Sequence, residues 1–428
     1  MLRMIFVILI IIAGILFSAQ SAFFGLLFYL WNAYFRPEMW VYYPFIASLR
    51  LSLIIGAYVV LRTVFSMPKL RLNWQTSLIF LFFIQALIGC FTSEVPGRSW
   101  SQFDGFWKVL LISYLIVVLT DNRHKFRFLL LVIVLSLGFE TAKQGWANLF
   151  RAPGQPNANP NAFLGDNNGV ALGMMMLLPL IGALARTSGR IWERNMHRFV
   201  AVGVLLRGIS TYSRGGFLGA GSLLVVGILR SERRVRFGIV AAVLAAGIWA
   251  LMPAEFWARM DTITVEEGQQ RDESSEGRLH FWGVAIDMAN AKPLTGVGFS
   301  AFNQTFATYN KDTAYEGQER AAHSIWFGVL GDLGYPGLVL FALNIGAAFW
   351  SCWRVHRLTR KRQDLHDLWI YANALISTLV VYAVTGSFLS HQYNEMAWHM
   401  FALTGALRLV TMDRLKELEP GVVKLKAA

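Results

Sequence analysis

Long apolar runs separated by short polar connections most limit what this chain can fold into. A helix that crosses a bilayer needs about 20 consecutive apolar residues, and the sequence offers such runs repeatedly. Hydrophobic residues make up 55% of the chain and charged residues only 15%, a composition typical of helical membrane proteins. The sequence therefore predicts an all-α polytopic protein embedded in a lipid bilayer, with residues 1–428 forming a single transmembrane domain.

The apolar segments predict about twelve crossings. They lie at 4–35, 45–66, 76–92, 105–120, 126–148, 168–186, 199–212, 216–230, 236–252, 324–355, 368–389 and 396–411. We count 4–35, which is interrupted near residues 18–22, as one broken crossing. A second break is predicted inside 324–355, at Gly334-Tyr335-Pro336.

The basic residues that give the net charge of +13 indicate, by their distribution along the chain, how it is oriented in the membrane. A basic chain suggests nucleic acid as a partner, but the basic residues here form short clusters at every second connection. These clusters are Lys69/Arg71, Arg123/Lys125/Arg127, Arg190/Arg194/Arg198, Arg233/Arg234/Arg236 and Arg357/Arg360/Lys361/Arg362. This is the positive-inside pattern, so no nucleic acid partner is predicted. We expect these connections and both termini to be cytoplasmic, and the remaining connections to be exoplasmic.

The chain start imitates a signal peptide, because Arg3 is followed by an apolar core and by Ser18-Ala19-Gln20-Ser21-Ala22. Since many apolar runs follow, we interpret residues 1–22 as an uncleaved first helix. Cys90 and Cys352 both lie inside apolar runs and are interpreted as packing residues.

One long polar segment, 253–323, interrupts the apolar pattern and is predicted to be a large exoplasmic (periplasmic) loop. Most connections in membrane proteins are short, so a segment of this size suggests a working surface. Within it, apolar residues at helical spacing predict an amphipathic helix over 278–290 on the membrane surface, capped by Ser274 or Ser275. That apolar set is Leu279, Trp282, Ile286 and Ala289.

Three motifs fall on the predicted exoplasmic face. The first is Ser213-Arg214-Gly215-Gly216 at a hairpin between two membrane helices. The second is Gly277-Arg278, followed by Trp282 and by Pro293-Leu294-Thr295-Gly296-Val297-Gly298. The third is His323-Ser324, followed by Gly331-Asp332-Leu333-Gly334-Tyr335-Pro336-Gly337.

Together these motifs resemble the O-antigen ligase family, and specifically its exosortase-associated O-glycosylation ligase branch. The resemblance covers most of the chain from Asn157 to Gly337, and it implies a glycosyltransferase of the GT-C-like type. It implies that Arg214 and Arg278 contact the diphosphate of an undecaprenyl-diphosphate-linked glycan donor, and that His323 acts on the acceptor hydroxyl. It further implies inversion at the transferred sugar, with no metal and no cofactor.

The residue types suit that chemistry. Guanidinium groups bind phosphate oxygens in pairs and keep their charge, and fixed cations stabilise a departing diphosphate. Histidine titrates near neutral pH and suits the removal of a proton from an attacking hydroxyl. Each residue also has a structural alternative: Arg214 as an interfacial anchor, Arg278 as the partner of a loop carboxylate, and His323 as a residue at a helix start.

Further candidates for substrate binding are Lys143, Asp166, Asn168, Ser213, Arg320 and His391. Lys143 has the alternative of extending toward the lipid surface, and Asp166 with Asn167 and Asn168 that of capping the helix after them. The acidic residues Asp272, Glu273 and Glu276 lack histidines at ligand spacing. We therefore predict no metal site there.

The predicted function is transfer of a glycan to an exoplasmic hydroxyl, most simply on a sugar of the lipid A core. An O-antigen polymerase and a protein O-glycosylation ligase are the enzyme alternatives, because the donor half of the site is shared. A transporter of lipid-linked oligosaccharides is the alternative outside enzymes. A transporter favours ionisable residues at the bilayer midplane, whereas the polar motifs here gather at the exoplasmic edge.

Overall fold

The computed structural model describes residues 2–41, 50–69, 71–150, 161, 163–230, 273–315 and 317–418, with isolated residues between 234 and 246. The predicted crossing at 236–252 and the first part of the predicted loop, 253–272, lie essentially outside the described residues. So does the end of the C-terminal tail, 419–428.

The described residues are helical throughout, apart from connections and an isolated bridge between Asn161 and Gly165. We number the α-helices in chain order: α1 Leu2–Ser18, α2 Ala22–Phe35, α3 Pro37–Val41, α4 Leu51–Ser66, α5 Trp74–Phe91, α6 Pro96–Leu119, α7 Arg123–Asn148, α8 Asn167–Thr187, α9 Ile191–Ile209, α10 Arg214–Arg230, α11 Glu273–Ala291, α12 Phe302–Tyr309, α13 Ile325–Thr359, α14 His366–Gly386 and α15 Glu395–Leu418. The all-α prediction is confirmed for the described residues.

Among the described residues, five helical stretches are long and apolar enough to cross a membrane: α5, α6, α8, α13 and Gln363–Gly386, which contains α14. Large apolar side chains on their outer faces are exposed, as on α5, where Phe80 is 61% and Leu81 48% exposed. Apolar helix faces of this kind are stable in contact with the hydrocarbon of a bilayer. The chain is thus a multi-pass membrane protein; the count of twelve crossings stays a prediction.

The first two helices fold back on each other. A Cβ added at Gly14 would lie 2.3 Å from the ring of Phe28, and the rings of Phe17 and Phe24 lie 6.0 Å apart. Both pairs are centred on the turn before α2, so the arrangement is an antiparallel hairpin. Ser21 caps α2 by accepting a hydrogen bond from the Phe24 amide at 3.3 Å, which starts the new helix. The prediction of a single broken crossing over 4–35 is therefore wrong.

The hairpin also corrects the predicted position of the N-terminus. Helix α1 packs on α3, which directly follows Arg36, and Arg36 lies 3.9 Å from Glu395 at the start of α15. That end of α15 follows the turn that contains His391. The beginning of α1 therefore returns toward the His391 side of the molecule, away from the basic connections with which Arg3 had been grouped.

The basic connections gather at one end of the bundle, which we call the basic face. Arg71 forms an ion pair with Asp413 and donates to the carbonyl of Thr120 at 2.8 Å. Arg127 forms an ion pair with Glu193 and donates to the carbonyl of Thr187 at 3.2 Å. Connections that the charge pattern assigned to a common side therefore do lie together.

The opposite end, which we call the site face, carries the connections 92–95, 163–166, 210–213, 310–324 and 387–394. The amide of Glu94 donates to the carbonyl of Val297 at 2.9 Å, and Lys292 pairs with Glu94 at 2.9 Å. These contacts join the start of α6 to the turn after α11.

Helix α13 breaks where the sequence predicted, at Gly334, whose φ of 66° and ψ of −168° are not helical. Pro336 has no amide proton and cannot donate to the Asp332 carbonyl, which instead accepts from the Gly298 amide at 3.0 Å. The Tyr335 amide donates to the Pro293 carbonyl at 2.9 Å, and Gln85 donates to the Leu333 carbonyl at 3.0 Å. Backbone groups freed by the break are thus bonded within the protein, as burial at membrane depth requires.

Helix α11 confirms the predicted helix over 278–290 but starts earlier, by Glu273. Ser274 and Ser275 lie inside it, so their predicted role as N-caps is wrong. One side of α11 buries Phe281, Ala285 and Met288 in a small core with α12. Leu279 is 62% and Ile286 40% exposed on the other side, so α11 is apolar on two faces, and its position at the membrane surface stays a prediction.

Candidate active site

His323 stands at the junction between the polar segment and α13. Its φ of 49° is in the left-handed region, which bends the chain sharply before the helix. Ser324 then caps α13 by accepting from the Trp326 amide at 3.3 Å. The His323 amide donates to Ser390 Oγ at 2.8 Å. The backbone conformation of His323 and its hydrogen bond to the turn after α14 thus fix the position of the Cα from which the imidazole extends.

Helix α11 brings Arg278 to His323. Trp282 donates from its indole nitrogen to the carbonyl of Ala322 at 3.1 Å, and its ring stacks on Phe327 at 4.9 Å. Arg278 is one helical turn before Trp282, so both residues lie on the same side of α11. The rings of Phe281 and His323 lie 6.3 Å apart, which completes the contact between the two segments.

Arg320 approaches the same histidine from the chain that precedes it. Its guanidinium lies over the Tyr315 ring, 5.6 Å from the centroid, and donates to Gln318. Cation–π contact holds a guanidinium without neutralising its charge. A second arginine is therefore positioned to act on His323, and its predicted role in substrate binding stays a prediction.

Asp166 and His391 form another side of the site. Asp166 caps α8 by accepting from the Gly169 amide at 2.8 Å, which confirms the capping alternative for this residue. A Cβ at Gly169 would lie 2.9 Å from the His391 ring, so His391 packs against the first turn of α8. Tyr382 holds the turn by donating to the His391 carbonyl at 3.1 Å.

The hairpin that carries Arg214 is hydrogen-bonded to the first turn of α8. Ser213 donates from its hydroxyl to Asn168 Oδ1 at 2.7 Å and accepts from the Gly216 amide at 3.3 Å. A Cβ at Gly216 would lie 2.7 Å from Ala171, so the glycine allows α10 to approach α8 closely. Arg214 is half-buried and begins α10 next to this contact. Ser213 and Asn168 have structural partners, and they position the arginine.

The electrostatics of the site keep His323 neutral. Burial lowers the pKa of His323, and the charges of Arg278 and Arg320 lower it further, whereas Asp166 raises it. Burial likewise lowers the pKa of His391, and Asp166 opposes this effect. One carboxylate thus acts on both imidazoles, and two guanidinium groups act on His323. This convergence unites four chain segments that are far apart in sequence.

Lys143 is explained by a partner on its own helix. Its ammonium lies 2.6 Å from Glu140, one turn earlier on α7, and its side chain is 49% exposed. The contact satisfies its charge locally. The structure therefore gives Lys143 a local role, and its predicted role in substrate binding stays a prediction.

Two groups near the site were not assigned a role from sequence. Ser390 binds the His323 amide, and Asp332, which is 0% exposed, accepts from the Phe302 amide at 2.8 Å and from the Tyr393 hydroxyl at 3.0 Å. Asp332 thereby joins α13, α12 and the turn after α14. Its place inside an apolar run, two residues before a Gly-Tyr-Pro break, was the signal available in the sequence.

Among the described residues, no group of three or more His, Cys, Asp or Glu side chains is arranged to hold a metal ion. What converges instead is a neutral imidazole, guanidinium groups and one carboxylate. Guanidinium groups bind phosphate oxygens, and a neutral imidazole accepts a proton.

Comparison with known families assigns the chain in two segments. Residues 1–186 match a family of unknown function (DUF5935), and residues 199–342 match the O-antigen ligase family. No curated protein matches the chain. The second segment contains Arg214, Arg278, Arg320 and His323, and it indicates a membrane protein that handles glycosyl groups. The exosortase-associated branch stays a prediction. Through residues 199–342, this multi-pass membrane protein is similar to the O-antigen ligase family.

Proposed function

We propose that this protein transfers a glycan from undecaprenyl diphosphate to a hydroxyl group outside the cytoplasmic membrane. The observation that carries the proposal is the convergence of Arg278, Arg320 and Asp166 on His323 at the start of a membrane helix. A lipid-linked donor presents its diphosphate at the membrane edge, which is where such a cluster is needed.

The arginines stabilise the leaving group. When the bond between the anomeric carbon and the diphosphate oxygen breaks, that oxygen gains negative charge. Arg214 and Arg278 bind the diphosphate oxygens through paired hydrogen bonds, and Arg320 adds a third positive charge nearby. Since these groups are held in place before the reaction, they need little reorganisation as the charge develops.

His323 removes the proton of the acceptor. The acceptor oxygen attacks the anomeric carbon on the side opposite the diphosphate, which inverts that centre, and its proton passes to the neutral imidazole. The lowered pKa of His323 keeps the ring unprotonated at neutral pH. Asp166 then stabilises the imidazolium that forms, because an opposite charge favours the protonated state.

The acceptor we propose is a sugar hydroxyl of the lipid A core. A second lipid-linked glycan, as used by a polymerase, and a Ser or Thr hydroxyl of a protein are the enzyme alternatives, since all three offer the same attacking atom. A transporter of lipid-linked oligosaccharide is disfavoured because the charged groups of the site lie at helix ends.

Purified protein in lipid nanodiscs, given labelled undecaprenyl-diphosphate glycan, tests the proposal. The lipid A core, a Ser/Thr peptide and a second lipid-linked glycan are supplied in separate reactions, with His323→Ala as the inactive reference. We expect labelled lipid A core from the wild-type protein only. Product with the peptide or the lipid-linked glycan alone would select the corresponding alternative. Movement of the donor across the bilayer without any product would contradict transferase activity.

A further inference from the structure

A second cavity lies at the other end of α8, about 30 Å from Asp166 by the rise of the helix. Its volume is about 1070 Å³, and α8, α10, α13 and α14 form its walls. It belongs to the basic face, so it is separate from the site around His323.

Four basic residues line this cavity: Arg186, Arg230, His356 and His366. Among the described residues that line it there is no carboxylate, and neither arginine forms an ion pair within the described part of the chain. Cations whose charge is not neutralised by the protein attract an anion from outside it.

The basic side chains are held in position. Asn373 Oδ1 accepts from Arg230 and from His356 Nδ1, the latter at 3.0 Å, so one amide aligns two of the groups. The Arg186 guanidinium lies over the Trp369 ring, 5.6 Å from its centroid, and the His366 ring stacks on Trp369 with the ring centroids 5.3 Å apart. Neither arrangement uses up the positive charge of the arginines.

The remaining wall is apolar. Leu178 and Pro179 contribute to it from α8, and Leu223 and Val226 from α10. Leu229 on α10 also lines the cavity and is 61% exposed, and Val225, one turn earlier, is 55% exposed, so an apolar surface leads out of the cavity along the helix. The cavity therefore matches an amphiphile with an anionic head and a hydrocarbon tail.

We propose that this cavity binds an anionic glycerophospholipid, with the phosphodiester between Arg186 and Arg230 and an acyl chain along α10. Basic pockets between membrane helices, next to an anionic leaflet, are suited to such headgroups. The apolar wall distinguishes this ligand from a soluble phosphate ion, which would gain nothing from it. The lipid would join α8, α10 and α14, the helices that also carry the site at their opposite ends.

Native mass spectrometry of the purified protein, titrated with phosphatidylglycerol, phosphatidylcholine or inorganic phosphate, tests this inference. We expect phosphatidylglycerol alone to be retained. Arg186→Gln and Arg230→Gln should each weaken its binding by about fivefold, from the usual contribution of a basic residue next to anionic lipid. Arg357→Gln is the matched control, because Arg357 is exposed on the same face, over Trp353, and does not line the cavity.

Three outcomes would overturn the proposal. Equal retention of inorganic phosphate would make the ligand a soluble anion, and equal retention of phosphatidylcholine would remove the role of the charge. Equal loss in Arg357→Gln would indicate a general surface effect. Thermal unfolding of each variant in phosphatidylcholine verifies that it is folded. Because Arg186 is exposed, we expect Arg186→Gln to fold, and this variant still tests the proposal if Arg230→Gln does not fold. Glycan transfer is not the readout, so the result is independent of the proposed function.

Discussion

His323 is held by its backbone as much as by its surroundings. A non-glycine residue at φ 49° is strained by roughly 1–2 kcal/mol, and such strain persists where the surrounding structure fixes it. Here the Ser390 hydroxyl and the cap of α13 fix it. Strained residues cluster at functional sites, which supports the role proposed for the imidazole.

Replacing His323 with alanine should abolish most transfer without unfolding the protein. Loss of a positioned base typically lowers the rate by about 10²–10⁴-fold, while binding of undecaprenyl diphosphate should hardly change. His323→Gly also removes the base but relieves the backbone, so it should unfold at a higher temperature than the alanine variant.

Single-turnover transfer and product binding are the measurements. His280→Gln is the matched control, because His280 lies in the same segment and binds Asn310 at 2.7 Å through a ring nitrogen that an amide can replace. Transfer near the wild-type rate by His323→Ala would show that His323 is structural.

The pH dependence of transfer should reflect the lowered pKa of His323. A base must be unprotonated to act, so kcat/KM should fall as the pH drops through that pKa, below the ordinary histidine value of 6.5. Arg320→Ala removes one charge that lowers the pKa, so its acidic limb should move to higher pH. An unchanged limb in this variant would argue against His323 as the titrating group.

Substitution of the arginines should weaken binding of the diphosphate leaving group, whereas substitution of His323 should not. Lysine keeps the charge but loses the paired geometry, so Arg214→Lys and Arg278→Lys should retain part of the product binding and lose much of the rate. The alanine variants should lose both. Isothermal titration with undecaprenyl diphosphate measures the difference, with exposed Arg98→Ala as a control of equal charge change on the site face. Wild-type affinity in both alanine variants would refute the proposed contact.

Among the helices, the broken helix α13 organises the site. The carbonyls of Gly331, Asp332 and Leu333 accept hydrogen bonds from the turn after α11 and from Gln85, so the break is joined directly to that turn and to α5. Asp332 adds side-chain bonds to α12 and to the turn after α14. Positions of Arg278 and His323 therefore depend on this junction.

Gly334→Ala should destabilise the protein and misplace the site. A Cβ at this residue would lie 2.5 Å from the Pro293 carbonyl oxygen, and its φ of 66° is unfavourable for alanine. We expect a loss of about 1–3 kcal/mol in stability and a larger proportional loss of transfer. Gly346→Ala, on the same helix with no atom within 4 Å of the added Cβ, should be neutral or stabilising. Thermal unfolding in detergent compares the stability of the two variants. Equal unfolding temperatures would contradict the structural role of Gly334.

For the molecule as a whole, the predicted orientation places the site face outside the cytoplasm. A cysteine at Gly268 should label in cells whose inner membrane is intact, whereas one at Gly189, on the basic face, should label only after permeabilisation. Because α1 turns back toward the site face, Arg3→Cys should label with Gly268→Cys. Cys90 and Cys352 are buried, which keeps the background low. The opposite labelling pattern would contradict the proposal that a lipid-linked donor reaches the site from outside the cytoplasm.

The sequence predicted most of the helices, because apolar length and breaker residues act locally. Helices α5, α8 and α14, and the break at Gly334, follow their patterns within a few residues. The α1–α2 hairpin was not predictable, since an apolar run does not tell which neighbour it packs against. In the site, motifs nominated Arg278 and His323, whereas the roles of Ser390 and Asp332 depend on contacts between residues that are 30 to 67 positions apart in sequence.

The close packing of α8 has a consequence for how this protein can be divided. The match to the family of unknown function ends at residue 186, and the match to the O-antigen ligase family begins at residue 199. Yet α8 packs on α9 from across that boundary, and Gln85 donates to the Leu333 carbonyl at 3.0 Å. Ser213 likewise donates to Asn168 at 2.7 Å. The two matched segments thus share one interior, and we expect neither to serve as an interchangeable module: a recombination event at this junction would have to exchange both halves of the interface at once.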